Sequence, residues 1–322
     1  MSGKKIISIV IKAFIGIAGV FIIYWKLKDD LTPDNITYLL QAISSQTGLL
    51  CLLGCLLLIP INWGIESFKW KLITAQIEKI SFKNAQKSVY SGICIGNLAP
   101  GRATEFLAKI IFFKPENRTA VSVLHFVNGM FQLSLTYLIG FIGLAIQLNA
   151  LAHDQVWIAY LSFGIAILVM LVFIISLFKI SRIINYAVKK ISATKNIEPV
   201  NFQFNFSLLF QLFSYSLLRY IVFSVQFILL LYLFAGNFNS NIIIGIVIYF
   251  LITTSIPMIS FLEGAIRAAV ALLVFKNCGI SDTAAALASI SVWLTNIIIP
   301  SIFGYIFLLQ QEFDFKLNKR NK

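Results

Sequence analysis

Two short stretches of a very apolar chain place arginine and glutamate side chains next to each other. Arg102 and Glu105 are three residues apart, and Glu263 and Arg267 are four residues apart. Residues at these spacings share one face of a helix. Because the planar guanidinium of arginine donates paired hydrogen bonds to phosphate and carboxylate groups, both stretches are typical of a site for an anionic group.

A third arginine, Arg219, lies near the middle of the apolar stretch 205–234. A charged side chain at the centre of a bilayer costs about 2.5–3.5 kcal/mol and is usually paired or faces a water-filled cavity. We therefore predict that the charged residues form one buried network that binds substrate: Arg102, Glu105, Arg219, Glu263 and Arg267. The alternative is a structural clasp, in which Arg102 and Glu105 only tie their segment to Arg219.

The composition indicates which elements must position these charges. Of 322 residues, 59% are hydrophobic and 12% are charged, whereas soluble domains have about 45–50% and about 25%. Apolar runs of about 18 residues or more cross a bilayer, and only a bundle of helices fits such runs. The sequence thus predicts an all-α, polytopic integral membrane protein with one transmembrane domain over 1–322. The predicted full spans are 6–25, 48–65, 119–148, 157–178, 205–234 and 284–309.

Lysine and arginine are concentrated in alternate connections. The N-terminus, the connections 66–91 and 179–204, and the C-terminal tail are basic, whereas 149–156 and 235–241 contain neither residue type. Basic connections of membrane proteins remain in the cytoplasm. This pattern predicts a bacterial cytoplasmic (inner) membrane protein with both termini in the cytoplasm, and the same placement argues against nucleic acid as the partner.

Two apolar regions are interrupted and have similar charge on both flanks. Region 88–113 lies between basic connections, so we predict a re-entrant helical hairpin that turns at Pro100 and Gly101. Region 242–275 lies between nearly uncharged connections, so we predict a second hairpin from the opposite face, with its turn marked by Pro257 and Gly264.

The order of spans and hairpins repeats along the chain. Each half reads as two spans, a hairpin and a span, and the two halves start on opposite sides of the membrane. We predict an inverted repeat with halves at about 1–150 and 151–322. Secondary transporters often have this organisation, with the substrate site where broken helices meet.

The predicted span 119–148 carries a polar stripe, and its connection to the preceding region is basic. The stripe comprises Ser122, His125, Gly129, Gln132 and Thr136. Such stripes indicate helix packing, with cavity lining as the alternative and His125 as a candidate proton carrier.

Segment 68–87 is basic and amphipathic, which predicts a surface helix on anionic headgroups; a plain connecting helix is the alternative.

Motifs of several enzyme classes are missing from the sequence. It contains no phosphate-binding glycine loop with Lys-Ser/Thr, no G-x-S-x-G motif and no His/Cys/carboxylate cluster with metal-ligand spacing. The longest polar connection has no room for a soluble catalytic domain. We therefore expect no enzymatic activity, no cofactor and no metal.

The stretch "NLAPGRATEFLAKI" resembles the Pro-Gly-Arg-x-Gly-Glu signature of the transmembrane domain of lysylphosphatidylglycerol synthases. The same domain occurs alone in many flippase-like membrane proteins. Pro100, Gly101, Arg102 and Glu105 match the signature, and Thr104 stands where the family usually has glycine.

A second stretch, "SIPMISFLEGAIRAAVALLVFKNCGISDTAAALASI", resembles the later Glu-x-Gly-x-Arg segment of that family. Glu263 and Arg267 match, and Ala265 replaces the glycine. His125 and Asn128 stand where the family has an Arg-x-x-Asp-like pair, which departs from the pattern. In the synthases this domain is taken to flip an aminoacylated lipid that a separate soluble domain makes, so the resemblance, which covers essentially the whole chain, implies lipid translocation without lysyl transfer.

We therefore expect a lipid flippase that moves a phosphate-bearing lipid or a lipid-linked precursor between leaflets. Its expected partners are membrane lipids with anionic or phosphate-bearing headgroups. Two alternatives remain open: a small-solute or ion-coupled secondary transporter, and a non-transporting membrane partner of an envelope enzyme. The sequence neither requires nor excludes a homo-oligomer.

Overall fold

The structure is a computed structural model that describes residues 33–97, 102, 104–151, 156–195, 202–256 and 262–310. These residues are almost entirely helical and contain no strand, which confirms the all-α prediction for them. The helices, numbered from the first one described, are α1 Pro33–Ser44, α2 Gln46–Thr74, α3 Phe82–Gly96, α4 Glu105–Ile110, α5 Arg118–Leu151, α6 Val156–Lys195, α7 Phe206–Ala235, α8 Ser240–Ser255, α9 Glu263–Phe275, α10 Asp282–Trp293 and α11 Ile299–Leu309. A π-helical turn, Leu294–Ile298, joins α10 to α11.

Five stretches within the described residues are helical, long and apolar enough to cross a membrane. They are Gln46–Thr74, Pro115–Asn149, Trp157–Ile175, Phe206–Ala235 and Asp282–Leu309. Each corresponds to one of the predicted spans, and the sixth prediction, 6–25, lies outside the described residues. The chain is thus a multi-pass helical membrane protein.

Polar side chains at helix starts explain where several of these helices begin. In each case a Ser or Asn oxygen accepts a hydrogen bond from the backbone N–H three residues later, which satisfies a donor that has no partner within the helix. These N-terminal caps are Ser45, Ser81, Asn205, Asn239 and Ser281. At the other end of α7, Gly236 adopts a left-handed conformation (φ 70°) that stops the helix before the uncharged turn into α8.

The prediction of a single surface helix over 68–87 is wrong. Helix α2 continues to Thr74, and α3 begins at Phe82. Trp70 is fully buried, and its Nε1 donates a hydrogen bond of 2.9 Å to Ser88 Oγ. Lys69 is also buried, since a carboxylate one helical turn earlier neutralises it. A lysine paired in this way does not hold a segment at the membrane surface.

The helices pack around two apolar cores. Helix α2 lies along α7, α5 lies between α6 and α8, α3 packs against α11, and α9 packs against α10. One core centres on Phe227, Tyr249 and Phe275, and the other on Trp70 and Leu124. In the N-terminal part of α6, large apolar side chains such as Trp157, Leu161 and Leu168 are exposed, as expected for a helix that faces lipid.

Two pairs of short helices interrupt the long ones. Helices α3 and α4 contact each other, and so do α8 and α9. Three of the predicted turn residues, Pro100, Gly101 and Pro257, lie outside the described residues. Gly264 lies in the first turn of α9, where an added Cβ would come within 3.0 Å of the Trp293 ring. Its small size therefore permits close helix packing.

Candidate functional site

A cavity of about 740 Å³ lies between α2, α4, α5, α7, α8, α9 and the π-helical turn. Four of the five charged residues predicted as the site line this cavity: Arg102, Glu105, Arg219 and Arg267. The fifth, Glu263, forms an ion pair with Arg267. The structure thus brings all five predicted residues to one place, although they came from three separate stretches of sequence.

Helix α4 contributes a tightly packed ion pair. Lys109 Nζ lies 2.8 Å from Glu105 Oε1, and Lys109 also sits 5.1 Å from the centre of the Trp70 ring. Glycines on α3 leave room for this pair, because a Cβ at Gly92 would come within 2.9 Å of Lys109 Cε and one at Gly96 within 3.1 Å of Glu105 Cβ. Small residues one turn apart let the two helices approach closely enough to bury the charges.

Arg102 lies just before α4 in an unusual backbone conformation. Its φ of 56° is left-handed, which costs a residue with a side chain roughly 1–3 kcal/mol. Its Nη2 is buried and has no hydrogen-bond partner among the described residues. Both Glu105 and Glu263 interact electrostatically with Arg102. The strained backbone therefore presents a guanidinium with unused donors to the cavity.

A second charged cluster joins α2 to α7. Glu66 Oε2 lies 3.2 Å from both Lys69 Nζ and Arg219 Nη1, and Glu66 Oε1 accepts a hydrogen bond of 2.7 Å from Asn128 Nδ2. Arg219 Nε also donates to Asn62 Oδ1 at 3.1 Å. One carboxylate is thus shared by two cations and held in place by the amide of Asn128, an arrangement that supplies the partners a buried charge requires.

The π-helical turn contributes a side chain to this cluster. Asn62 Nδ2 donates a hydrogen bond of 2.6 Å to Asn296 Oδ1, and both residues line the cavity. On its other face, Arg219 lies 4.6 Å from the centre of the Trp63 ring. Turns of this kind are rare and are frequent at functional sites.

The ion pair on α9 is more open than the pair on α4. Arg267 Nε and Nη2 donate hydrogen bonds of 2.9 and 2.8 Å to the same Glu263 oxygen. The Arg267 side chain is 20% exposed, whereas that of Lys109 is 1% exposed. Arg267 also lines the cavity, so its remaining donors are accessible from it.

The polar stripe on α5 lines the cavity in its C-terminal part. His125, Gly129, Gln132 and Thr136 face the cavity, whereas Ser122 Oγ donates to a backbone carbonyl of its own helix. His125 Nδ1 and both amide atoms of Gln132 are buried without a hydrogen-bond partner among the described residues. Unpaired polar atoms of this kind are costly, so these groups are available to hydrogen-bond a polar ligand in the cavity.

Among the described residues, the cavity is open on one side. Phe126, Gly129 and Leu133 follow one face of α5, line the cavity and are exposed. A Cβ placed on Gly129 would have no atom of the described residues within 4 Å. The Phe126 ring contacts the Phe106 ring of α4 at 5.9 Å, so this side opening lies next to α4.

The sequence reasoning missed three charged residues of the cavity: Glu66, Lys69 and Lys109. Both lysines were counted among the basic residues predicted to lie on the cytoplasmic side. The available signal was spacing, because Lys69 follows Glu66 by three residues and Lys109 follows Glu105 by four.

The predicted structural clasp has different partners in the structure. Among the described residues, Glu105 pairs with Lys109, and Arg219 pairs with Glu66. Arg102 forms no ion pair within 4 Å in this part of the chain. Likewise, no group of three or more His, Cys, Asp or Glu side chains in the described ranges is arranged to hold a metal ion.

In comparisons with known proteins, the chain matches no protein-family model, no curated protein and no solved structure. The resemblance to the transmembrane domain of lysylphosphatidylglycerol synthases therefore stays a prediction that depends on short motifs.

Proposed function

We propose that this protein is a lipid translocase that moves a phosphate-bearing lipid, or a lipid-linked precursor, between the leaflets of the bacterial cytoplasmic membrane. The observation that carries the proposal is the cavity lined by Arg102, Arg219 and Arg267 in the middle of a multi-pass helical protein. Arginine donates bidentate, charge-assisted hydrogen bonds to phosphate. Arg102 has an unused buried nitrogen for such a bond.

The side opening favours a lipid over a soluble solute. A lipid must keep its acyl chains in the membrane while its headgroup enters a polar space, so its path needs a gap between helices. The exposed lining residues Phe126, Gly129 and Leu133 provide an apolar border for such a gap. A solute carrier needs a closed aqueous path instead.

The proposal includes the re-entrant hairpins and the inverted repeat, for which the helix contacts provide support. Helices α2 and α7, equivalent in the two halves, pack against each other. Helix α3 packs against α11, and α8 packs against α5, so the first short helix of each half contacts the last span of the other half. Reciprocal contacts of this kind are expected of a pseudo-two-fold axis. The cytoplasmic location of both termini rests on the basic connections alone.

The proposed substrate contacts are Arg102, Arg219 and Arg267, with Glu105 and Glu263 keeping the cations oriented and in part balanced. No chemical step on the lipid is part of the proposal, and the protein is expected to need no cofactor. Lipid movement requires only that the headgroup be bound within the bilayer and released on the other side. The resemblance to flippase-like proteins agrees with this reading.

The test is leaflet exchange of a fluorescent phospholipid in vesicles containing the purified protein, with dithionite quenching the outer leaflet. We expect Arg102→Ala and Glu263→Ala to insert normally and to lose exchange. Lys114→Ala and Glu116→Ala, which change exposed charges between α4 and α5, serve as controls and keep the wild-type rate. Wild-type exchange by both cavity variants would refute the mechanism.

A further inference from the structure

The charges around the cavity do not balance. Its lining contains five cationic side chains, Lys69, Arg102, Lys109, Arg219 and Arg267, and two carboxylates, Glu66 and Glu105. Glu263 adds a third carboxylate through its pair with Arg267. Five positive charges against three negative ones leave an excess of two positive charges among the described residues.

The excess can be assigned to particular residues. Lys109 with Glu105, and Arg267 with Glu263, are one-to-one pairs at 2.8 Å. Glu66, by contrast, is shared by Lys69 and Arg219, which leaves one positive charge uncompensated in that cluster.

Arg102 carries the other uncompensated charge. It forms no ion pair within 4 Å in the described part of the chain, although Glu105 and Glu263 are near enough to interact with it electrostatically. Both uncompensated charges therefore border the same cavity.

An excess charge in a site shielded from water is stabilised by a ligand of opposite sign, because the Coulomb energy grows as the effective dielectric constant falls. A phosphodiester with no other charge would cancel one of the two excess charges, and a doubly charged phosphate would cancel both. A zwitterionic headgroup brings an ammonium with its phosphate and leaves the excess unchanged. An aminoacylated headgroup with net positive charge would increase it.

We propose that the cavity selects lipids whose headgroup has a net negative charge, namely phosphodiester or phosphomonoester lipids without an amine. This inference rests on the proposed translocase function and goes further, because it excludes the aminoacylated lipid that the motif resemblance implies. The selection comes from the shared carboxylate Glu66 and from the unpaired Arg102.

Gln132 offers a way to change the balance without removing a cation. It lines the cavity, and both of its amide atoms are buried with no partner among the described residues. Gln132→Glu adds one negative charge at nearly constant shape. Gln132→Met has a similar length and no charge, so it controls for loss of the amide.

The experiment measures leaflet exchange of fluorescent phosphatidylglycerol, phosphatidylethanolamine and lysylphosphatidylglycerol with identical acyl chains. We expect the wild-type protein to exchange phosphatidylglycerol at least about tenfold faster than the other two, since one uncompensated charge in a partly buried site is enough for such a ratio. Gln132→Glu should reduce the ratio several-fold relative to Gln132→Met, which removes the same amide without adding a charge.

The outcomes separate this inference from the function on which it rests. Equal exchange of all three lipids, or a preference for the amine-bearing ones, would overturn the charge selection and leave the translocase standing. No exchange of any lipid, with uptake of soluble glycerol 3-phosphate into the same vesicles, would instead overturn the lipid function itself. If Gln132→Glu does not fold, the ranking of the three lipids by the wild-type protein still decides the matter.

Discussion

In each of the two pairs of short helices, α3–α4 and α8–α9, the second helix begins with the same order of charged residues. Helix α4 begins EFLAK and α9 begins EGAIR, so each starts with a glutamate and places a cation four residues later. In both helices the two side chains form an ion pair at 2.8 Å. The shared pattern indicates that each of the two interrupted regions is stabilised by one carboxylate–cation pair.

What differs between the two regions is one added charge. Arg102 precedes the first pair by three residues, and the corresponding position before Glu263 is Ser260. The cation of the first pair, Lys109, is buried under Trp70, whereas Arg267 is open to the cavity. The comparison suggests that the ion pairs stabilise the two interrupted regions. Arg102, which is unpaired among the described residues, and Arg267, which is paired but lines the cavity, are the cations able to contact a ligand.

The largest expected effect tests the structural part of this comparison. Lys109→Met removes a cation that is 1% exposed and leaves Glu105 without its ion-pair partner, and breaking a buried pair costs about 3–5 kcal/mol. Arg267→Met should cost less, because the Arg267 side chain is 20% exposed, so solvent already screens its ion pair with Glu263. Thermal unfolding in detergent measures both variants, with Lys114→Met as the exposed control. Equal losses in the two helices would contradict the distinction.

The next effect concerns the added charge. Arg102→Gly removes the guanidinium and suits the left-handed backbone at the same time. We expect exchange of an anionic lipid to fall at least about tenfold, because a charge-assisted hydrogen bond contributes about 1.5–3 kcal/mol. Stability should rise by about 1 kcal/mol, because the strain is relieved.

Arg102→Lys serves as the matched variant. It keeps the charge but loses the planar fork, so its exchange rate should fall between those of Arg102→Gly and the wild type. A wild-type rate of lipid exchange for Arg102→Gly would show that Arg102 does not bind the lipid and that both interrupted regions have a structural role only.

The smallest expected effect tests whether the side opening next to α4 is the route to the cavity. Gly129→Trp places a large ring in open space at this opening and should slow lipid exchange a few-fold without loss of stability. Gly164→Trp is the matched control. Gly164 on α6 is also exposed, also has no atom of the described residues near its Cβ position, and is not part of the cavity. Equal rates for the two variants would show that lipids reach the cavity elsewhere.

Much of the helical architecture follows from composition. Apolar run length and the basic connections predicted the spans, and five of them correspond to helices of suitable length. The helix starts at Ser81, Asn205 and Ser281 follow from side-chain capping, which acts locally and can be read from the sequence.

The candidate site was only partly predictable, because hydropathy treats every lysine as a surface residue. Lys69 and Lys109 are buried because each has a carboxylate one turn earlier on its own helix. A topology predicted from the distribution of lysine and arginine does not take this pairing into account. The pairing of Glu66 with Arg219 depends on how α2 meets α7. Nothing in the local sequence of either helix encodes that contact, since it arises from tertiary packing.

The sharing of Glu66 also has a consequence for biosynthesis. Its partner Lys69 is three residues away on α2, so this pair can enter the bilayer with its two charges already cancelled. Arg219 emerges from the ribosome 153 residues after Glu66 and finds no carboxylate on α7 itself. A lone arginine at that depth costs about 2.5–3.5 kcal/mol. We therefore expect α2, which is inserted first, to favour membrane integration of α7 by supplying the missing carboxylate.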